Sequence, residues 1–286
     1  HYETELHSGH IQIKRLEDNF YVTYYSYVLP VNAWGSRRLK KRTQQKTDEE
    51  IAKLNNCSQL LDEILSGQYY LLSHWEAADK EINYRRFFSI NGLIGMRVED
   101  RGVFDHIHKT IFQMIDKKQL DGVRVDHVDG LRNPREYLKK LRNKARHQWI
   151  VVEKILGANE AIPKDWPIDG TTGYDFLNIV NGLFVNPAAK LGLANLYRQL
   201  TGETRVYSEM LYKKKLLTIE KSFGGELQRL VGLLEGIAMR HRLYRDLNVS
   251  ELREGLAILT AYFPVYRTYI MDFEHSMSDE DAEYIG

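Results

Sequence analysis

The stretch "QLDGVRVDHVDGLRNP", Gln119 to Pro134, and the nearby "QWIVVEKIL", Gln148 to Leu156, decide the fold. Each is a short run of branched apolar residues that ends in charge, where a strand gives way to a loop. Side chains alternate across a strand, so Val123 and Val125 share one face while Arg124 and Asp126 share the other. In the second run Ile150 and Val152 form the apolar face, and Trp149, Val151 and Glu153 look the opposite way. Between the two, Pro134 fits a first helical turn and "REYLKKLRNKAR", Arg135 to Arg146, supplies an amphipathic helix. Strand, helix, strand at this spacing is a βαβ unit, so the strands are expected to be parallel. Arg124, Asp126 and Glu153 then converge at the carboxyl ends of neighbouring strands, where α/β folds place ligand and catalytic groups.

Working outward, Phe104, Ile107, Ile111, Met114 and Ile115 recur at helical spacing between Val103 and Lys117, so that face is expected to pack. His10 to Val31 reads as a β-hairpin around Glu17-Asp18-Asn19, rich in aromatic and branched residues. The basic run Arg37 to Arg42 reads as a solvated loop. Thr47 and the two glutamates that follow are placed like a helix start, leading toward "SQLLDEILSGQYYLLSHW", Ser58 to Trp75. Further on, Phe223, Leu227, Leu230, Leu234 and Ile237 form a helical stripe suited to core packing. The acidic tail "FEHSMSDEDAEYIG", Phe273 to Gly286, lacks a core face and is expected to be frayed.

Composition narrows the function classes. A chain of 286 residues with 43% hydrophobic residues can bury one large core or two smaller ones. Lys plus Arg at 40 against Asp plus Glu at 39 leaves a formal charge of +1, which offers nucleic acid or an anionic membrane no general attraction. One cysteine, Cys57, cannot form an internal disulfide, and no apolar stretch is long enough to cross a bilayer or act as a signal segment. These features point to a reducing, cytoplasmic setting.

Arg124, two residues before Asp126, is placed to keep that carboxylate ionised. Glu153, at the end of an apolar strand beside Trp149, is expected to sit in a drier setting and to carry a proton. Two carboxyls in contrasting environments suit glycosidic chemistry, one attacking the anomeric carbon and one protonating the leaving oxygen. The competing reading is a structural Arg-Asp ion pair with an unrelated Glu, and spacing alone leaves both open. Asp126, His127 and Asp129 lack further ligands at a recognisable metal spacing. The chain has no phosphate-cradling glycine loop, no Gly-x-Ser-x-Gly elbow and no paired-cysteine zinc motif.

Four stretches then carry a resemblance: "EINYRRFFSINGL", "DGVRVDHVDGLRNP", "IVVEKIL" and "PKDWPIDGTTGYDFLN". In this order, across most of Tyr70 to Val185, they resemble the maltooligosyltrehalose synthases of the α-amylase clan, with weaker similarity in "SFGGELQRL" and "FPVYRTYI". The resemblance implies Asp126 as nucleophile, Glu153 as general acid and base, Arg124 as the group that orients Asp126, and His127 and Asp129 as lining for sugar subsites. It implies a malto-oligosaccharide substrate whose terminal α-1,4 bond becomes an α,α-1,1 bond, with no cofactor and no metal. His127-Val128-Asp129-Gly130 after the nucleophile, in place of the Ala-x-Lys-His usual in hydrolytic amylases, favours the synthase over a starch hydrolase.

There are departures as well. The family's third carboxylate, in a Thr-His-Asp-Thr-Lys-Arg motif, and its Asn-His strand-end motif do not occur in this sequence, and Ser89 and Gly92 stand where the family usually has Asp. The chain, which starts at His1, therefore reads as a central segment. The expected fold class is α/β: barrel strands four and five of a partial (β/α)8 barrel with their helices, an N-terminal β-hairpin insertion and a helical C-terminal region. The expected divisions are an insertion region over 1–82, the barrel segment with the catalytic strand ends over 83–185, and a helical subdomain with the acidic tail over 186–286. Such a segment is expected to have no transglycosylase activity alone and either to self-associate through open sheet edges or to cover its short sheet with helices such as the one carrying Phe104 and Ile111. The alternatives are another amylase-clan hydrolase or glucanotransferase, and a non-catalytic glucan-binding remnant suggested by Tyr69, Tyr70, Trp75 and Trp149.

Overall fold

A computed structural model describes residues 2–43, 48–157, 160–271, 277 and 279–285. The chain divides into two compact units, one of His1–Asn83 with Lys221–Arg229 and one of Tyr84–Glu220 with Leu230–Gly286. No helix among the described residues is long and apolar enough to cross a membrane.

The first unit opens with helix α1 (Tyr2–His7) and strands β1 (Ile11–Leu16), β2 (Asn19–Tyr24) and β3 (Tyr27–Pro30). The expected hairpin is present as the antiparallel β1–β2 pair, with Leu16 opposite Asn19. A third strand extends it, because Tyr25 takes a positive φ of 50° and turns the chain back so that Tyr24 faces Tyr27. Ile11, Ile13, Phe20 and Val22 line one sheet face and pack with Leu39, Leu60, Leu61 and Ile64. The helices are α2 (Ala33–Arg42), α3 (Asp48–Asn55), α4 (Ser58–Ser66) and the short α5 (Ala78–Glu81). The basic run Arg37 to Arg42 is helical rather than a loop. Asn32 caps α2 by accepting from the Gly35 N–H, and the completely buried Leu39 anchors a helix whose charges need only face water. Thr47, read as a helix start, lies outside the described residues.

The second unit begins with a two-stranded antiparallel ribbon, β4 (Arg86–Phe87) and β5 (Ile90–Ile94). Next come α6 (Arg101–Asp116), β6 (Gly122–Val125), α7 (Pro134–Lys144), β7 (Trp149–Val152) and β8 (Gly170–Thr171). Strands β6, β7 and β8 form a parallel sheet in that order, with Val125 level with Val152. The βαβ unit thus stands as expected, and β8 adds a third strand that the sequence reading lacks. Asn133 caps α7 and Pro134 occupies its first turn. The core joins Val125, Ile150 and Val152 to Phe104, Leu138, Leu141 and Trp166.

The α6 face is rotated from the expected stripe: Phe104, His108 and Ile115 are buried, whereas Ile107, Ile111 and Met114 are exposed. His108 makes this possible. Its Nδ1 donates to the Phe104 carbonyl at 2.8 Å, and its Nε2 lies 2.8 Å from the Tyr137 hydroxyl, so both ring nitrogens are satisfied inside the core. Burial pushes the Tyr137 hydroxyl up to about 12.

The rest is mainly helical: α8 (Tyr174–Gly182), α9 (Lys190–Thr201), α10 (Tyr207–Ser222), α11 (Gly224–Ala238), α12 (Val249–Tyr262) and α13 (Asp279–Ile285). In α11 the buried apolar side chains are Leu227, Val231 and Ala238, while Leu230 and Ile237 of the expected stripe, and Phe223 just before the helix, are exposed. Within the acidic tail, Asp279–Ile285 forms a helix rather than a frayed end, and Asp281 accepts a hydrogen bond from the Tyr269 N–H at 3.3 Å. Residues 273–276, 278 and 286 of that tail lie outside the described residues.

Candidate active site

The apolar alternation of β6 and β7 buries Val125 and Val152 and sends the intervening side chains to the other face. Beyond the last paired residues the ladder continues for one more hydrogen bond, from the Glu153 N–H to the Val125 carbonyl at 2.8 Å. Asp126 and Glu153 therefore leave adjacent parallel strands at the same level. Arg124 joins them: its Nε lies 2.8 Å from Asp126 Oδ1 and its Nη2 lies 3.4 Å from Glu153 Oε1. The His127 N–H adds a second link by donating to Glu153 Oε2 at 2.9 Å. Arg124, Asp126, His127 and Glu153 are thus brought together.

The Asp126 side chain is 67% exposed, while that of Glu153 is 27% exposed. Glu153 has polar partners in the Arg124 guanidinium and the His127 N–H, whereas Trp149, expected beside it, is 67% exposed.

His127 has a positive φ of 45°, a left-handed conformation in which histidine is tolerated better than most side chains. Its ring stacks on Phe88 with centroids 4.4 Å apart, and its Nε2 lies 3.2 Å from the Tyr266 hydroxyl. Gly130 makes room, since a Cβ there would fall 2.5 Å from His127 Nδ1. The result is an aromatic rim of Phe88, His127 and Tyr266 beside the two carboxylates.

Asp129 is placed differently from a group that lines a subsite with a free carboxylate. Its side chain is 10% exposed, Oδ2 meets Lys154 Nζ at 3.1 Å, and Oδ1 accepts from the Tyr269 hydroxyl. Burial, and then the contact with Asp129, push the Tyr269 hydroxyl far above its ordinary range. Arg267 donates to the carbonyls of Asp129 at 2.9 Å and Leu131 at 2.6 Å, so the Tyr266–Tyr269 segment is fastened to the β6 strand-end loop. Sequence reasoning passed over Phe88, Lys154, Tyr266, Arg267 and Tyr269. Lys154 carried a usable signal: alternation from Val152 aims it inward, where an unpaired lysine is not tolerated. Among the described residues no group of three or more His, Cys, Asp or Glu side chains could hold a metal ion.

Arg124, shared between two strand-end carboxylates on a parallel sheet, forms the centre of the candidate site, and solved structures similar to the chain include glycosyltrehalose and maltooligosyltrehalose synthases. A glycosyltrehalose synthase superposes with a TM-score of 0.76 at 34% identity, over 98% of this chain and 34% of that one. The maltooligosyltrehalose synthase from Arthrobacter ramosus gives 0.71 at 31% identity, over 91% of this chain and 30% of that one. A Mycobacterium tuberculosis protein described as a maltooligosyl trehalose synthase is 40% identical over 164 residues, 57% of this chain and 21% of that protein. The chain is therefore related to maltooligosyltrehalose synthases, as its motifs suggested. It spans about a third of the length of the solved relatives and about a fifth of the curated one. No protein-family model matches the sequence.

Proposed function

We propose that Asp126 and Glu153 are the reacting carboxyls of a retaining transglycosylase that converts the terminal α-1,4 bond of a malto-oligosaccharide into an α,α-1,1 bond. The observation that carries this reading is the single Arg124 guanidinium shared by both carboxylates at the ends of adjacent parallel strands. In the reaction, Asp126 attacks the anomeric carbon while Glu153 gives its proton to the glycosidic oxygen, and the bond to the terminal glucose breaks. That glucose turns over in place. Glu153 then takes the proton of its anomeric hydroxyl as that oxygen displaces Asp126, so two inversions leave the α configuration. The exchange is balanced without cofactor or metal. Phe88, His127 and Tyr266 would wall the site and keep the released glucose from water, with Arg124 paired to Asp126 and orienting it.

In this reading β6 and β7 correspond to strands four and five of an amylase-type barrel, with 83–185 as the site-bearing part between 1–82 and 186–286, in a cytoplasmic enzyme. These 286 residues contain no third carboxylate in the Thr-His-Asp setting of the resemblance, so by themselves they are proposed not to turn over and to associate through open strand edges. The native protein that carries these residues, incubated with maltopentaose, should lose reducing ends without releasing glucose. Growth of reducing ends would instead identify a hydrolase of the same clan.

A second reading, glucan binding without catalysis, draws on the exposed Tyr69 and Trp75 of the first unit. Calorimetric titration with maltoheptaose tests it: heat equal to dilution excludes it.

A further inference from the structure

We propose that Lys154 is a positioning residue that sets the geometry of the candidate pair by tying the strand-end loop of Glu153 to that of Asp126 and His127. The proposal rests on the assignment of Asp126 and Glu153 above. Lys154 follows Glu153 directly, yet it is 2% exposed and points inward on the side of Val152. Its ammonium lies between two carboxylates, 3.1 Å from Asp129 Oδ2 and 2.5 Å from Glu160 Oε1. Its remaining side faces the Tyr269 ring, 5.6 Å from the centroid. Tyr269 in turn donates to Asp129 and packs edge-on against the buried Trp166 at 5.2 Å.

Stability alone does not explain this cluster. Taking three charges out of water is unfavourable, and apolar replacement of such groups is often neutral or stabilising. What the charges add is direction. Two ties cross between the same two loops: the His127 N–H to Glu153, and one residue further on the Lys154 ammonium to Asp129. A single tie would leave the loops free to pivot, whereas two fix both their separation and their rotation. Lys154 does this from the buried side and faces neither carboxylate of the pair. It therefore acts through the placement of Glu153 and does not touch substrate.

The test uses the native protein that carries these residues, with Lys154→Met, Lys154→Arg and a neutralised variant, Asp129→Asn with Lys154→Met and Glu160→Gln. The neutralised variant leaves no unpaired buried charge, so it keeps the fold accessible if Lys154→Met alone does not. Steady-state kinetics on maltopentaose and acrylamide quenching of Trp166 are read for each. Misplacement on the scale of an ångström predicts a kcat about a hundredfold lower in Lys154→Met and in the neutralised variant, with KM within about twofold. Lys154→Arg, which restores the bridge, should recover about tenfold of that loss. The proposal is overturned if either folded variant without the Lys154 charge keeps a kcat near that of the native protein. It is also overturned if neither variant folds, because Lys154 would then serve the fold itself. Failure of the underlying assignment looks different: the native protein forms no trehalose-ended product, or Asp126→Asn retains activity.

Discussion

Arg124 Nη2 lies 3.4 Å from Glu153 Oε1, across the seam between two parallel strands, while the same guanidinium holds Asp126 on its own strand at 2.8 Å. The arginine works as a spacer between two carboxylates as well as their counter-charge. Arg124→Ala in the native protein should lower kcat/KM by about a hundredfold, through loss of orientation. Lysine offers a point charge instead of a planar fork, so Arg124→Lys should remain well below the native rate. The Arg124 side chain is 53% exposed, so its ion pairs should contribute no more than about 1 kcal/mol to stability. Thermal melts alongside kinetics check both halves. A large loss of stability with little loss of rate would make this ion pair purely structural.

The core that carries these strands should be far less tolerant. Leu138 of α7 is completely buried and packs in the cluster that includes Ile150 and Val152, the apolar side of β7. Leu138→Ala should destabilise the second unit by about 2–5 kcal/mol, measured by urea unfolding. Ile111→Ala on the exposed flank of α6 is the control and should change stability by less than about 1 kcal/mol.

Only Trp166 of the four tryptophans is buried, with Trp34, Trp75 and Trp149 all exposed. Iodide should therefore quench most of the emission and leave a blue-shifted remainder. Trp166→Phe should abolish that remainder, and persistence of a protected component in the variant would contradict the packing of Trp166 against Tyr269.

Much of this architecture was legible because period-two alternation is a local signal. Val123 and Val125, then Ile150 and Val152, announced their buried faces, and the charges between them announced the opposite one. Helix faces were harder to read. His108 enters the core of α6 because Tyr137, on another helix, satisfies its second nitrogen, and no helical-period count contains that partner. Arg37 to Arg42 read as a loop because a solvated helix and a solvated loop look alike in charge content. At the site, Asp129 was legible as a charged loop residue but not as a buried anchor. Its partners Lys154 and Tyr269 stand 25 and 140 residues away, and only the fold brings them to it.

Asp169 provides the pH-dependent joint of the sheet. Its Oδ2 accepts from the Ile150 N–H at 2.7 Å and from Arg142 Nη2 at 2.6 Å, just before β8 pairs with β7. The Ile150 N–H first, and the Arg142 guanidinium second, hold its carboxyl below the ordinary value of 3.8. A carboxyl depressed in the folded state binds its proton less readily there than in the unfolded chain. Its contribution to stability is therefore fully present above pH 3.8 and is lost as pH falls from that value through the lower folded one. Asp169→Asn keeps the shape but removes the charge. At neutral pH the variant should melt below the native protein, and the gap should close as the pH is lowered through this window. The side chain is partly exposed, so added salt should narrow the gap as well. Melting curves recorded from neutral pH down to about pH 3 provide the check. A gap that stays constant over the whole range would mean that Asp169 holds β7 by shape alone, without a contribution from its charge.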